Sequence, residues 1–380
     1  MYNKLLKPFL FLFDPEVVHD VVFLFIKIFN KIPFVRSILR SIYTIENSKL
    51  KRNILGIDFP NPIGLAAGFD KNALIIKEIS DLGFGFLEIG TVTPLSQYGN
   101  RKPRIFRLKE DKAIINRNGF NNEGMIKIKE RLKKYKNNVT RDKSFLIGIN
   151  IGPNKNSLDR IEDYKLLAYE LGSYADYITI NVSSPNTVGL RRLQSIKFLK
   201  HVINSVNDGL LQNNCNLLKK PVFIKISPDI ETNLMRNIIK LCVNENISGL
   251  IISNTTTNRP RTLKSDKKKE IGGLSGSPLF SKSTELLIEA NRMKKKFKAN
   301  IFLIATGGVL DGFSAYVKIL SGAHLIQLYT SLAYKGPIIS KSILNELKTY
   351  LVRDNIKNLD KIRGIAHSFE EAILIAKKGF

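Results

Sequence analysis

The stretch Tyr177-Ile178-Thr179-Ile180-Asn181-Val182-Ser183-Ser184-Pro185-Asn186-Thr187 joins a short apolar run to an uncharged polar loop. The run Tyr177–Ile180 has the length and the β-branched content of a buried strand, which places the loop at the carboxyl end of that strand. Asn, Ser and Thr side chains beside a proline suit hydrogen bonding to a planar, heteroatom-rich ring, but they also form ordinary turns. The ends of the other strands decide between these two interpretations.

Further apolar runs of strand length recur along the chain, with helical stretches between them. Near-continuous apolar runs are typical of parallel strands buried on both faces, and eight β/α units in one chain predict an α/β fold, a closed (β/α)8 TIM barrel. The predicted strands are Ile63–Ala67, Phe86–Gly90, Phe145–Asn150, Tyr177–Asn181, Val222–Ile226, Gly249–Asn254, Ile301–Thr306 and Leu325–Tyr329. Asn53–Pro60 is predicted to form a small strand pair before the barrel, and Pro94–Asn118 and Thr256–Gly276 are predicted to be loop insertions.

Three regions are predicted: a small N-terminal helical extension (residues 1–45), the barrel (46–336) and a basic C-terminal helical tail (337–380). In the extension, Leu5–Phe13 and Val17–Phe29 are mostly apolar and are separated by Asp14-Pro15. Neither run reaches the roughly 18 unbroken apolar residues that a membrane span needs. Two short helices lying in a membrane interface are therefore predicted; the alternative is that both helices dock on the barrel as part of its core.

Charge and cysteine content narrow the classes of function. The chain has 380 residues, with 60 Lys and Arg against 33 Asp and Glu, and a net charge of +27. This excess suits nucleic acid or an anionic membrane, but it is spread along the chain without a nucleic-acid motif, so no nucleic-acid partner is expected. The two cysteines, Cys215 and Cys242, lack metal-type spacing, which argues against disulfide scaffolds, zinc sites and iron–sulfur clusters. No metal is expected.

Small and polar residues follow the predicted strands, at the barrel end where chemistry gathers in this fold. Small residues let a flat cofactor approach the backbone, amides and hydroxyls supply neutral hydrogen bonds, and lysines supply positive charge. The pairs Gly307-Gly308 and Tyr329-Thr330 occupy the usual phosphate position of such barrels. The strand ends are Ala66–Lys71, Gly90–Pro94, Asn150–Gly152, Asn181–Thr187, Lys225, Ser253–Thr255, Gly307-Gly308 and Tyr329-Thr330.

This pattern resembles the dihydroorotate dehydrogenase family, specifically its membrane-associated, quinone-linked class (class 2), from Met1 to about Gly336. The segments that carry the resemblance are Asp14–Glu16 with His19, Gly64–Lys71, Glu88–Pro94, Lys102–Leu108, Asn116–Asn122, Gly148–Gly152, Asn181–Leu190, Gly272–Leu279 and Gly307-Gly308. The resemblance implies oxidation of (S)-dihydroorotate to orotate in de novo pyrimidine (UMP) biosynthesis. It also implies FMN as the hydride acceptor and a membrane quinone as the final electron acceptor.

The resemblance implies that Ser184 is the catalytic base, at the position where the soluble class has a cysteine. A serine hydroxyl is a poor base at neutral pH, so it needs help from departure of the hydride and from a relay through Thr187 or water, with Phe120 alongside. Lys71 matches the partner of the substrate carboxylate, and amides match the pyrimidine edge. The implied substrate-binding residues are Lys71, Asn116, Arg117, Asn118, Gly119, Phe120, Asn181, Asn186, Asn254 and Thr255.

A second set of residues is implied for FMN. Lys225 lies in an otherwise apolar strand, where a buried lysine needs an anion, and reduced flavin would provide one. The implied cofactor-binding residues are Ala67, Gly68, Lys71, Thr91, Asn150, Asn181, Lys225, Ser253, Gly276, Gly308, Tyr329 and Thr330.

The N-terminal helices are implied to frame an apolar tunnel for the quinone, with His19, Arg107 and Tyr329 at its inner end. The expected protein is a monomeric, peripheral membrane protein, on the cytoplasmic face of the inner or plasma membrane if bacterial. Asn118, Pro153 and Ala305-Thr306 depart from the commonest letters of the family and put rate and affinity in doubt.

Three alternatives stay open. A soluble-type dihydroorotate dehydrogenase would use fumarate or NAD, but Ser184 and the extension count against it. A flavin barrel that reduces uridine in tRNA would want a cysteine acid at the ring. An inactive membrane-bound scaffold predicts decay at Ser184, Lys71 or Lys225, and all three are present.

Overall fold

The computed structural model describes residues 2–29, 32–138, 145–213 and 220–380, so Cys215 lies outside the described residues. The described strands are β1 (Arg52–Ile54), β2 (Ile57–Phe59), β3 (Ile63–Leu65), β4 (Phe86–Val92), β5 (Ile105–Leu108), β6 (Ala113–Asn116), β7 (Leu146–Ile151), β8 (Tyr177–Asn181), β9 (Val222–Ile226), β10 (Gly249–Ile252), β11 (Gly273–Gly276), β12 (Phe302–Thr306) and β13 (Leu325–Leu328). Strands β3, β4, β7, β8, β9, β10, β12 and β13 pair in this order and close into a parallel barrel. The predicted (β/α)8 barrel is confirmed, with each predicted strand within two residues of its observed bounds.

Helices surround the barrel and precede it. Asp159, Asp311 and Ser368 each cap the helix that follows by accepting backbone N–H hydrogen bonds, which fixes where the helices starting at Arg160, Gly312 and Phe369 begin. The described helices are α1 (Lys7–Leu10), α2 (Pro15–Phe29), α3 (Pro33–Tyr43), α4 (Ile76–Asp81), α5 (Met125–Asn137), α6 (Arg160–Leu171), α7 (Ile196–Gln212), α8 (Thr232–Asn244), α9 (Phe280–Lys296), α10 (Gly312–Leu320), α11 (Thr330–Lys335), α12 (Ile339–Arg353) and α13 (Phe369–Lys378).

Aromatic side chains fill the amino-terminal end of the barrel. Phe86, Tyr177 and Phe223 are buried there beneath the predicted hairpin β1–β2. Two glycines make room for these rings: a Cβ added to Gly64 would lie 2.3 Å from Phe86, and one added to Gly148 would lie 2.1 Å from Tyr177. Because this end is packed solid, ligands can enter only at the carboxyl ends of the strands.

The two segments predicted as loop insertions contain regular structure. Strands β5 and β6 form an antiparallel hairpin, and β11 pairs with β6 to complete a three-stranded sheet. These strands have four residues each, too short for their periodicity to distinguish them from loop. The prediction of two separate loops was therefore incomplete: both segments belong to one sheet over the mouth of the barrel.

The N-terminal helices dock through one side and leave another exposed. Arg104 donates hydrogen bonds to both carboxylate oxygens of the mostly buried Glu16 in α2, and Phe23 of α2 lies against Phe69. On the outer side, Leu12 is 77% exposed and Leu24 is 57% exposed. Within the described ranges, no helix is long and apolar enough to cross a membrane.

The C-terminal region joins the same core. Ile339, Ile343 and Leu347 of α12 are fully buried, and α12 contacts α10. Ser340 donates a hydrogen bond to the carbonyl of Gly83, ahead of β4. The division of the chain at residues 45 and 336 stays a prediction, although α12 contributes to the packing of the barrel.

Candidate active site

A cavity opens at the carboxyl ends of the barrel strands, between the loops that follow them and the sheet formed by β5, β6 and β11. Nearly all of the residues that the sequence implied for substrate and cofactor line this single cavity. They are Ala67, Gly68, Lys71, Thr91, Asn116, Asn118, Gly119, Phe120, Asn181, Ser184, Asn186, Lys225, Ser253, Asn254, Thr255, Gly276, Gly308, Tyr329 and Thr330.

Two predicted residues do not line the cavity. Asn150 lies behind its wall, where its Oδ1 accepts hydrogen bonds from Thr91 Oγ1 at 2.5 Å and from Asn181 Nδ2 at 3.1 Å. The Arg117 side chain lies outside the cavity: it donates to Glu270 at 2.7 Å and stacks over the ring of Phe106. Asn150 can act only through its neighbours, and the Arg117 guanidinium has a structural contact of its own.

Amide side chains form two hydrogen-bonded groups in the cavity wall. Asn254 Nδ2 donates to Ser183 Oγ at 3.0 Å and to Asn181 Oδ1 at 3.3 Å. In the second group, Asn186 Nδ2 donates to Asn116 Oδ1 at 3.1 Å. Because each amide is held by a neighbour, the two groups present donors and acceptors at fixed positions, as recognition of a flat amide-like ring requires.

Ser184 lies at the cavity surface on the loop after β8 and is 7% exposed. Its Oγ accepts a hydrogen bond from the backbone N–H of Asn186 at 3.3 Å, as in an ordinary turn. Thr187 Oγ1, on the same loop, is buried and has no hydrogen-bond partner within the described ranges. A buried hydroxyl without a partner is uncommon. Thr187 does not itself line the cavity, so any role of its hydroxyl is indirect.

Lys71 supplies positive charge where the first strand ends. Burial, with a further contribution from the nearby charge of Arg104, lowers the pKa of Lys71 to about 8. The ammonium is therefore costly without an anion, and an anionic ligand in the cavity would stabilise it.

Glu88 is the buried residue that sequence reasoning missed. It is 0% exposed in β4, and its Oε1 lies 3.5 Å from Lys225 Nζ. The prediction that Lys225 needs an anion is met within the protein, so the argument that burying Lys225 would be costly without a flavin was wrong. A carboxylate in the apolar run Phe86–Ile89 was the available signal, because a charge in such a strand demands a partner.

Gly276, the last residue of β11, and Gly308, after β12, form a close-fitting cradle. Gly276 and Gly308 have φ of 92° and 77°, which only glycine adopts without strain. A Cβ on Gly308 would lie 2.3 Å from Phe280 Cα, so only glycine fits at this position of the cavity lining. Thr330 Oγ1 and Ser275 Oγ lie 2.9 Å apart beside this cradle. Backbone and hydroxyl donors without a carboxylate fit a phosphate group.

Other lining residues were not predicted. Ile105 and Ile114 come from the hairpin β5–β6, and Thr306 is the last residue of β12. Gly307, which follows Thr306, was predicted together with Gly308 for the phosphate position and also lines the cavity. The sequence did not indicate the role of the hairpin residues, because a short apolar pair in a predicted loop does not show which part of the fold it packs against.

A second, largely apolar cavity of about 430 Å³ lies between the N-terminal helices and the barrel. The predicted residues His19, Arg107 and Tyr329 all line it. Tyr329, Ile105 and Ile114 line both cavities, so a single layer of side chains separates them.

Polar groups at the inner end of this second cavity are already oriented. His19 Nε2 donates to the carbonyl of Phe69 at 2.9 Å, and burial, followed by the charge of Lys71, lowers the pKa of His19. Arg107 donates to the carbonyls of Leu10 and Phe13, at 3.2 and 2.9 Å. Burial lowers the pKa of Arg107 as well.

Comparisons with known proteins agree with this geometry. The family model described as dihydroorotate dehydrogenase matches residues 49–351. Dihydroorotate dehydrogenase (quinone) of Christiangramia forsetii is 44% identical over 90% of this chain and 97% of the relative, and that of Bartonella tribocorum is 41% identical over 93% and 94%. A crystal structure of the dihydroorotate dehydrogenase (DHODH) of Eimeria tenella in complex with ferulenol has a TM-score of 0.83 and 37% identity, covering 93% of this chain and 96% of that one. The resemblance is confirmed: the chain belongs to the dihydroorotate dehydrogenase family.

Proposed function

We propose that this protein oxidises (S)-dihydroorotate to orotate and passes the electrons to a membrane quinone. The observation that carries this proposal is the pair of adjacent cavities. One is polar and is lined by Ser184 and the amide side chains; the other is apolar and shares Tyr329 with it as part of the wall. The relatives that share about 40% of the sequence over nearly the whole chain carry the name of this activity.

FMN fits the polar cavity. Its phosphate suits the cradle of Gly276 and Gly308 with the Thr330 hydroxyl, while Lys225 and Lys71 supply positive charge for the ring system. Bound FMN would supply the redox chemistry, taking the hydride from C6 of dihydroorotate and returning the electrons to quinone. Asn150 supports this site from behind by holding Thr91 and Asn181.

The substrate is oriented by neutral and charged groups together. Lys71 binds the substrate carboxylate, since that ammonium lies buried in the cavity wall where an anion stabilises it. Asn116, Asn186 and Asn254 read the amide edges of the pyrimidine ring.

Ser184 removes the proton from C5. Its hydroxyl is a weak base at neutral pH, so the proton must pass onward as the hydride leaves C6. Thr187 is the relay, because its buried Oγ1 lies on the same loop without another partner in the described part of the chain. Phe120 lines the cavity and helps to keep bulk water away from the reacting ring.

The quinone binds in the apolar cavity, with its carbonyl end at His19 and Arg107. The N-terminal helices rest on a membrane surface through their exposed apolar side chains, and the protein acts as a peripheral membrane monomer. Against the soluble alternative, position 184 is a serine, and the described cysteine, Cys242, is fully buried in α8.

The deciding experiment supplies dihydroorotate and a panel of acceptors to the purified full-length protein. Ubiquinone and menaquinone analogues should support turnover, while fumarate and NAD should not. Turnover with fumarate or NAD at a rate equal to that with quinones would establish the soluble-type alternative. A protein that binds no flavin, even after incubation with FMN, would refute both.

A further inference from the structure

Lys318 is a buried lysine that does not line the cavity described above. It lies in α10, is 0% exposed, and its Nζ donates to Ser283 Oγ at 2.7 Å and lies 5.4 Å from the ring centre of Phe280. No salt bridge to it occurs within the described ranges, and burial holds the pKa of Lys318 well below its ordinary value. Burying an amine of this kind without a carboxylate is costly. A methionine would fill the same space without that cost.

Ser283 links Lys318 to the cavity. Its hydroxyl accepts from Lys318 and donates to the carbonyl of Gly307 at 2.9 Å. A weaker alternative acceptor is the carbonyl of Phe280 at 3.2 Å. Because Lys318 occupies the hydroxyl as a donor, the single hydroxyl proton is directed toward a carbonyl, and Gly307 offers the shorter bond.

The Gly307-Gly308 loop is seated on the start of α9. A Cβ added to Gly307 would lie 2.9 Å from Leu279 and 3.2 Å from Ser283, and one added to Gly308 would meet the backbone of Phe280. Both glycines line the cavity, and both have positive φ. Their position therefore depends on contacts with the residues on the side away from the cavity. The bond from Ser283 is such a contact.

We propose that Lys318 is a positioning residue for the phosphate end of the flavin, acting through Ser283 on the backbone of Gly307 and Gly308. Lys318 itself does not touch the ligand. The inference rests on the proposed function, because FMN is the ligand whose phosphate would lie in this cradle. It gives a reason for a lysine at a fully buried position of α10.

The test compares Lys318→Met with a matched control, Ser321→Ala. Ser321 is another fully buried polar residue and lies directly after α10. The full-length chain is stripped of flavin, and FMN affinity is measured by quenching of flavin fluorescence. Loss of a buried hydrogen-bonded positioning contact predicts roughly tenfold weaker FMN binding for Lys318→Met and no change for the control. At saturating FMN, the flavin absorption spectrum and the rate of flavin reduction by dihydroorotate should match those of the wild type.

Ser283→Ala makes a smaller change and carries the test if Lys318→Met does not fold. It should weaken FMN binding by a similar factor, and the double variant should be no weaker than either single one. Unchanged FMN affinity, additive losses, or an altered spectrum and reduction rate would each overturn the positioning role. If the wild type binds no FMN, it is the proposed function that fails.

Discussion

Replacing Glu88 by glutamine tests whether the buried carboxylate organises the centre of the barrel. Oε1 of this fully buried side chain accepts from Asn150 at 2.8 Å and lies 3.5 Å from Lys225 Nζ. Oε2 accepts from three further side chains at 2.8 to 3.2 Å. Glu88→Gln keeps the shape of the side chain, removes its negative charge, and leaves Lys225 as a buried cation without a counter-ion.

The geometry sets the expected magnitudes. Removing one partner of a buried ion pair costs about 3–5 kcal/mol in unfolding free energy, because the other charge stays buried and unpaired. Lys225→Met should cost less, about 1–2 kcal/mol, because the carboxylate of Glu88 keeps its four side-chain hydrogen bonds. The double variant should be more stable than Glu88→Gln alone, since the unpaired cation has gone.

Urea unfolding followed by circular dichroism measures these differences. The full-length protein is used without flavin, because Lys225 is also proposed to contact the flavin. Glu130→Gln, a change at an exposed position on α5, serves as the control and should stay within about 0.5 kcal/mol of the wild type. If Glu88→Gln loses less than about 1 kcal/mol, or if the double variant is the least stable, the reasoning about a charge-paired centre is refuted.

Three further predictions concern the proposed reaction and its setting. Ser184→Ala should keep FMN bound while slowing flavin reduction by dihydroorotate at least about 100-fold in stopped flow, and an unchanged rate would place the base elsewhere. Burial lowers the pKa of Lys71 to about 8, so its ammonium is charged below that pH and loses its charge above it; kcat/KM for dihydroorotate should therefore fall as the pH rises through about 8. Lys71→Gln should lower kcat/KM and abolish this pH dependence. If the variant still shows the fall, the titrating group is a residue other than Lys71. Replacing exposed Leu12 and Leu24 by serine should weaken co-sedimentation with anionic liposomes at least about tenfold without changing the thermal midpoint, and undiminished binding would contradict the membrane contact.

The barrel could be predicted because its strands are buried on both faces. Such strands appear as apolar runs that need no alternation, and Tyr177–Asn181 and Val222–Ile226 were predicted with their observed bounds. The candidate site followed from the same reading, since parallel strands bring their carboxyl ends together. Placing the strands predicted that the residues after them would lie close together, and the structure brings Lys71, Ser184 and Asn254 into one cavity. The substrate residues from Asn116 to Phe120 were implied by the family resemblance and not by the strand ends.

What could not be predicted depends on partners that are distant in sequence. Glu88 and Lys225 are 137 positions apart, and the sequence of neither strand indicates that the two residues pair. Arg117 lies next to cavity residues on both sides, yet its side chain is drawn outward by Glu270. The sheet of β5, β6 and β11 escaped notice because pairing between Ala113 and Gly276 joins segments that each look like loop.

This sheet connects the two cavities and therefore bears on the choice of electron acceptor. Ile105 and Ile114 of the hairpin β5–β6 face both cavities, while Arg107 of the same hairpin donates to the carbonyls of Leu10 and Phe13. The hairpin thus forms the wall toward the flavin site and also anchors the extension that encloses the apolar cavity. The hairpin is one of two supports of the extension, since Phe11 also packs on Tyr334 of α11. Without the extension, the apolar face of the hairpin would lie in water. The apolar cavity proposed for the quinone is therefore built by the hairpin and the extension together.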